Sequence, residues 1–240
     1  AKILAEPHKY WWEVNGGIAS YGDEGAFITN TTTIQTMLRL NRSYTEAVGR
    51  YFPEVEYDPI VDCSNYLFHK HTFELPPRFR PAAEAVLGEL VDQSDLEPMV
   101  LSSSKGDKVK RNLKTIGFGQ MRVLGDTRQY GIDPSWRKQF VHPEQGKGQI
   151  FQLDEKRTID LRRPAYHAAL TRELEDTAKL VVVADTFSMP GALPLMMGIP
   201  FLLLKTPYTP GWCERYVGAH PWGQVLLDLA ALPDKVDALL

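Results

Sequence analysis

Apolar runs in this chain repeatedly end on small polar or acidic side chains, and those endings are where chemistry is to be sought. Asp62, Ser64 and Asn65 follow one run, Ser102, Ser103, Ser104 and Lys105 another, and Asp126 with Thr127 a third. Asp185, Thr186 and Ser188 close the most apolar of them, and Thr206 follows the next, beside Lys205. Hydroxyls, backbone N–H groups at helix starts and a lysine are together the donor set that a phosphate requires. Taken singly, each ending is no more than a helix N-cap. Gathered on one edge of one sheet, they form a phosphate-binding rim.

Other chemistries have less behind them. His69 and His71, two residues apart with no cysteine or third ligand close in sequence, suit exposed or ligand-touching imidazoles better than zinc. No G-x-S-x-G elbow follows a strand, and neither G-x-G-x-x-G nor a Walker A sequence occurs. Trp11 and Trp12 read as core or interface anchors rather than base-stacking platforms.

The elements that must position these groups centre on Lys179–Leu204. Leu180–Val183 and Pro200–Leu204 are apolar without alternation, the pattern of parallel strands covered on both faces, with a short apolar helix between them. Around them the chain predicts strand–helix units: strands at Pro59–Asp62, Met99–Leu101, Gln120–Leu124 and Lys156–Leu161, and helices from Pro81, from Asp107 to Gly117, and from Pro164. The fold class expected is α/β, a Rossmann-like parallel sheet with helices on both faces. The front is less regular. Ile3–Leu4 reads as a short strand, a helix is expected from Thr31–Thr33 to about Leu40, and a second follows the capping-box-like Ser43-x-x-Glu46. Residues 128–158 break the rhythm as a long polar loop or flap, and helical segments are expected near Val225–Leu229 and Pro233–Leu240. The division expected is a front region at 1–58 and a nucleotide-binding domain at 59–240, carrying the 128–158 insertion.

The stretch AKLVVVADTFSMPGALPLMMGIPFLLLKTPYTP resembles the carboxyl-half signature of glycosyltransferases of the two-Rossmann-domain (GT-B) architecture, most closely the heptosyltransferase-like group. The match runs back through KHTFELPP, VLSSSKGDKVKRNL and MRVLGDT, and SYGDEG resembles the Gly-Asp turn near the start of those enzymes. The resemblance implies a GT-B-like carboxyl half with a reduced, acceptor-side front region, and transfer of a sugar from a nucleotide-sugar donor to a hydroxyl acceptor. On it, Asp23 is the general base and Asp185 joins it as the second catalytic residue. Ser64, Asn65, Ser102, Ser103, Ser104, Lys105, Asp126, Thr127, Thr186, Ser188 and Thr206 hold the donor, and no cofactor or metal is required.

A second resemblance is to haloacid-dehalogenase-like phosphohydrolases. DCSNYLF is similar to their nucleophile loop, VLSSS to their Ser/Thr strand end, Arg163-Pro164 to their Lys-Pro, and VVADTF to their Gly-Asp turn. That implies Asp62 as nucleophile, Ser102 or Ser103 and Arg163 on phosphate, and Asp185 on Mg²⁺. Ser64 stands where that loop has its second Asp, and RELEDTAKLVVVADT passes from helix to strand without the loop usual in the phosphatases, so the transferase reading is preferred. A non-catalytic binding protein on a related fold is the third alternative.

The formal net charge of -3 gives no bulk attraction for nucleic acid or acidic membranes, and leaves a local basic surface open. Cys63 and Cys213 are too few and too far apart for a disulfide framework. With no membrane-length apolar run, a cytoplasmic protein is expected. The acceptor, whether small molecule, glycan, protein or nucleic acid, is left open, as is homodimerisation to complete a cleft that so short a front region would leave unfinished.

Overall fold

The computed structural model describes residues 1–52, 58–72 and 75–239. It is a mixed α/β protein with several small sheets, some of them parallel. The front begins with α1 (Lys2–Ala5), so Ile3–Leu4 is helical rather than a strand. β1 (Trp11–Val14) and β2 (Gly17–Tyr21) then form an antiparallel hairpin. Its two-residue loop, Asn15–Gly16, has positive φ at both positions, the mirror-image turn whose twist suits a hairpin.

α2 (Ala26–Arg39) starts well before the threonines expected to cap it. Instead of capping, Thr29, Thr31 and Thr33 turn their hydroxyls back onto the carbonyls of Gly25, Phe27 and Thr29. α3 (Arg42–Tyr51) is capped by Asn41, whose side chain accepts from Tyr44 N–H and from the Ser43 hydroxyl. Glu46, expected in a capping box, pairs with Arg42 instead.

Residues Pro59–Asp62 are not a strand but the first turn of α4 (Pro59–Thr72). The Asp58 carboxylate accepts from Ile60 N–H and Pro59 occupies the first helical position, so the segment carries a helix start. Of the polar loop expected at residues 69–77, His69–Thr72 belong to this helix, and Phe73 and Glu74 lie outside the described residues.

The regular part follows with α5 (Ala83–Asp92), β3 (Met99–Leu101), α6 (Gly106–Lys114) and β4 (Arg122–Leu124), and β3 pairs with β4 in parallel. α6 gives way to a turn at Gly117, where φ is 88°. The 128–158 insertion is built rather than loose. β5 (Phe140–His142) and β6 (Gly146–Gly148) pair antiparallel, as do β7 (Ile150–Asp154) and β8 (Arg157–Asp160). After α7 (Pro164–Asp176) come β9 (Val182–Ala184), an irregular turn at Phe187–Gly191, α8 (Ala192–Met196), β10 (Phe201–Leu204), α9 (Gly211–Ala219), β11 (Gly223–Leu226) and α10 (Leu232–Asp237). The expected helix near Val225 is thus the strand β11, and Leu240, at the end of the last expected helix, lies outside the described residues.

β9, β10 and β11 form one parallel sheet with β10 in the middle. Its central strand explains the missing alternation. Phe201 and Leu203 enter one core with Leu193, Trp212, Val217, Tyr166 and Leu170, whereas Leu202 and Leu204 enter another with Val86, Leu90, Leu232 and Val236. Both faces are buried, each such side chain contributing about 1.5–3 kcal/mol. Tyr21 from the front hairpin and Phe140 and Phe151 from the insertion lie in the first of these cores. A third, with Trp12, Val14, Ile28, Val61 and Ile132, holds the front hairpin to α2 and α4. Trp12 is its buried anchor. Where the sequence predicts one Rossmann-like parallel sheet, the described residues form two separate parallel sheets and three antiparallel hairpins. No helix among those residues is long and apolar enough to cross a membrane.

Candidate functional site

The carboxyl ends of β9, β10 and β11 open into one cleft of about 580 Å³. Asp185 follows β9, Lys205 and Thr206 follow β10, and Asp228 follows β11; all four line it. The front contributes Glu24, Gly25 and Phe27, and the connection before α5 contributes Arg80. Arg80 Nη2 lies 2.8 Å from Asp185 Oδ2, and Lys205 Nζ lies 2.9 Å from Glu214. Both cations are partly exposed, so each ion pair contributes little to stability and is free to re-form on a ligand. Tyr208 offers an exposed ring at the rim.

Glu24 forms the floor. It is buried, and its carboxylate accepts from the N–H groups of Ser188 (2.8 Å), Phe187 (3.2 Å) and Tyr21 (3.2 Å), and from the hydroxyls of Ser20 and Ser188. Segments 164 residues apart are joined here through one side chain. Burial pushes the Glu24 carboxyl above its ordinary value; hydrogen bonds from Ser188 and Tyr21 oppose this, and Asp23 adds to it. The folded state then holds the proton more tightly than the unfolded chain. Stability is greatest below the ordinary glutamate value and falls as pH rises through the raised folded value. Glu24→Gln is neutral and removes that slope. The melting temperature of the variant relative to wild type should therefore improve steadily across that window in a pH series followed by circular dichroism, and a pH-independent difference would contradict this reading of Glu24.

Asp23, the preceding residue, has a different set of partners. Trp212 Nε1 donates to its Oδ2 at 3.3 Å, and Arg157 Nη2 stands 3.8 Å from the same oxygen. The Arg157 guanidinium lies over the rings of Trp212 and Tyr21, 4.9 and 5.6 Å from their centres; the two rings themselves meet edge-on at 5.7 Å, and the guanidinium pairs with Asp154 at 2.9 Å. Asp23 Oδ1 is buried with no hydrogen-bond partner. An unpaired buried acceptor costs about 1–3 kcal/mol, and a water or an incoming hydroxyl relieves it.

The serine turn after β3 and the Gly-Asp-Thr turn after β4 are locked together. Asp126 N–H donates to Ser104 O at 3.0 Å and Thr127 N–H to Ser102 O at 3.1 Å. A Cβ on Gly125 would sit 2.2 Å from Gly106 N, so only glycine lets the two turns meet. The hydroxyls of Ser103 and Thr127 are buried without partners, while Lys105 and Asp126 are exposed. α4 connects these turns to the cleft. Phe27 packs edge-on to Phe68 at 4.7 Å, and the next residue, His69, has its imidazole pushed down by burial and then by Lys108 and Lys105.

The remaining expected residues fall elsewhere. Ser64 is buried inside α4 with its hydroxyl on Val61 O, and Asn65 follows it in the same helix, so neither sits at a strand end. The Ser188 and Thr186 hydroxyls already have internal partners, Glu24 with Ser20 and Met189 O respectively. Thr206 caps its own loop, accepting from Tyr208 N–H. Asp62 stands in the first turn of α4, not on a strand-end loop, and Arg163 is buried, donating to the carbonyls of Ala19, Asp160 and Gln129. The arrangement that a phosphohydrolase nucleophile loop requires is absent from that segment. Glu24, Arg80, Arg157 and Trp212 were not singled out by the sequence. Only Glu24, adjacent to Asp23, had a signal that could have found it.

No protein-family model, no curated protein and no solved structure matches the chain.

Proposed function

We propose that this protein is a glycosyltransferase, moving a sugar from a nucleotide-sugar donor to a hydroxyl acceptor, with a GT-B-like, heptosyltransferase-like carboxyl half. The observation that carries the reading is the junction of the Asp23–Gly25 turn with the Asp185–Ser188 turn through Glu24, at the carboxyl ends of parallel strands. Open α/β sheets bind their ligands at that edge. Asp23 Oδ1 takes the proton of the acceptor hydroxyl; the freed oxygen bonds to the anomeric carbon as the bond to the diphosphate breaks. Lys105 and the unpartnered hydroxyls of Ser103 and Thr127 receive the departing diphosphate. Arg80 and Lys205 guard the cleft in which the rest of the donor lies.

The first test needs no acceptor. UDP, ADP and GDP are titrated while thermal unfolding is followed. A nucleotide at a hundredfold excess over its Kd stabilises by about 2.7 kcal/mol, which is roughly 5–10 °C for a chain of this size. Lys105→Ala combined with Thr127→Val should lose most of that shift. A folded protein whose melting temperature ignores all three nucleotides sinks the proposal.

A further inference from the structure

α6 is crowded with like charge. Lys105, Lys108, Arg111 and Lys114 follow one another at intervals of three, and Lys110 is four residues from Lys114. Repulsion at these spacings destabilises a helix, and Lys105 and Lys108 also sit at the positive end of its dipole. Among the described residues no carboxylate forms an ion pair with any of these five. Lys110, Arg111 and Lys114 are exposed, and Asp107 is the helix's own counter-charge. Asp107 in the first turn and the helix C-terminus beside Arg111 and Lys114 offset part of this crowding; among the described residues no ion pair offsets the rest.

The neighbouring segment has a second character. Leu75-Pro-Pro-Arg-Phe79 is exposed along its length, with Leu75 64% and Phe79 38% accessible. It runs beside α6. His69, before it, feels Lys105 and Lys108, and Phe79, at its end, shares a surface hollow with Ile116, just beyond α6. Glu84 at the start of α5 is the acidic group on that hollow. Exposed basic side chains beside apolar loop residues are the make-up of a surface that meets an anionic bilayer. The charges stay at the headgroups while leucine and phenylalanine enter the acyl boundary.

We propose that α6 and the Leu75–Phe79 loop form a docking surface for an anionic phospholipid membrane. The occupant is a bilayer rather than a nucleic acid because Leu75 has no role in stacking or phosphate contact, whereas it completes an apolar tip. The surface rests on Lys110, Arg111 and Lys114, not on Lys105, so this inference stands apart from the transferase reading.

The test is co-sedimentation of the full chain with phosphatidylcholine vesicles, with and without phosphatidylglycerol. Binding is expected only with the anionic lipid, weakening as salt rises. Lys110→Glu with Arg111→Glu should lose binding by roughly fivefold or more per charge. Leu75→Ser with Phe79→Ser should remove the part that survives high salt. All four side chains are at the surface, and circular dichroism melts verify that the variants fold. Equal binding to both vesicle types, unchanged binding by the charge variant, or displacement from vesicles by single-stranded RNA at lower concentration than by lipid headgroup would each overturn the proposal.

Discussion

Asp23→Asn should lower sugar transfer by about 10²–10⁴-fold while leaving the nucleotide-induced rise in melting temperature intact. Asparagine keeps an oxygen for the Trp212 indole N–H, and Arg157 retains Asp154 as its partner, so the surrounding geometry is preserved. What disappears is the capacity to take a proton at the buried, unpartnered Oδ1. Nucleoside diphosphate release, measured with a panel of hydroxyl acceptors, reads the loss. Glu24→Gln is the control that separates chemistry from architecture: Glu24 is buried and bonded to Ser188 and Phe187, so its replacement changes how the two turns meet rather than the reacting atoms. Full turnover by folded Asp23→Asn, with nucleotide binding intact, removes Asp23 from the mechanism but leaves the donor site standing. Loss of nucleotide binding in the wild type removes both.

The parts of the fold legible in the sequence are those where packing writes its own pattern. Phe201–Leu204 is apolar at every position because alternate side chains enter different cores. Pro164 opens α7 and Gly117 follows α6 for backbone reasons that survive any tertiary context. Asp58-Pro59 carried a helix start, yet four apolar-leaning residues are too few to distinguish a period of two from one of 3.6. Asn15-Gly16, between Trp12 and Val14 on one side and Ala19 and Tyr21 on the other, held a hairpin signal that the surrounding glycines obscured. β6 is Gly-Lys-Gly, which no strand propensity favours; only its ladder with Phe140–His142 makes it a strand.

The candidate site divides along the same line. Asp185 was singled out by the apolar strand that precedes it, and Asp23 only by the resemblance of SYGDEG to a Gly-Asp turn. Arg157 and Trp212 were not, because their relation to Asp23 spans 134 and 189 residues and exists only once the β7–β8 hairpin and α9 have packed. Arg80 reaches Asp185 from a loop that has no pattern at all. Side chains brought together by hairpins and irregular connections leave no periodic trace, so the sequence showed the edge of the cleft and hid its walls.

Arg163→Met should lower the melting temperature by roughly 10 °C. Arg163 was expected on a phosphate under the hydrolase resemblance, but it is 1% exposed and donates inward, to Ala19 O at 2.6 Å, Asp160 O at 3.0 Å and Gln129 O at 3.3 Å. It thereby ties together β2, the end of β8 and the segment after β4. Two effects oppose each other. Burial disfavours the cation and draws its pKa down to about 10, and methionine relieves that charging cost, on the order of 3 kcal/mol. Against this, three charge-assisted hydrogen bonds at about 1.5–3 kcal/mol each are lost, and three carbonyls remain behind without a donor. The second effect wins by roughly 3–5 kcal/mol, the range seen when one partner is removed from a buried charged network, at about 2–4 °C per kcal/mol for a chain of this length. Arg163→Lys reaches fewer of the three acceptors and should recover only part of the loss. Hydrogen exchange gives the local signature: β2, which bears Ala19 and leads directly to Asp23, should lose protection first. A methionine variant that melts within two or three degrees of wild type, or one that exchanges faster only around α7, would show that the guanidinium does not hold the front hairpin in place.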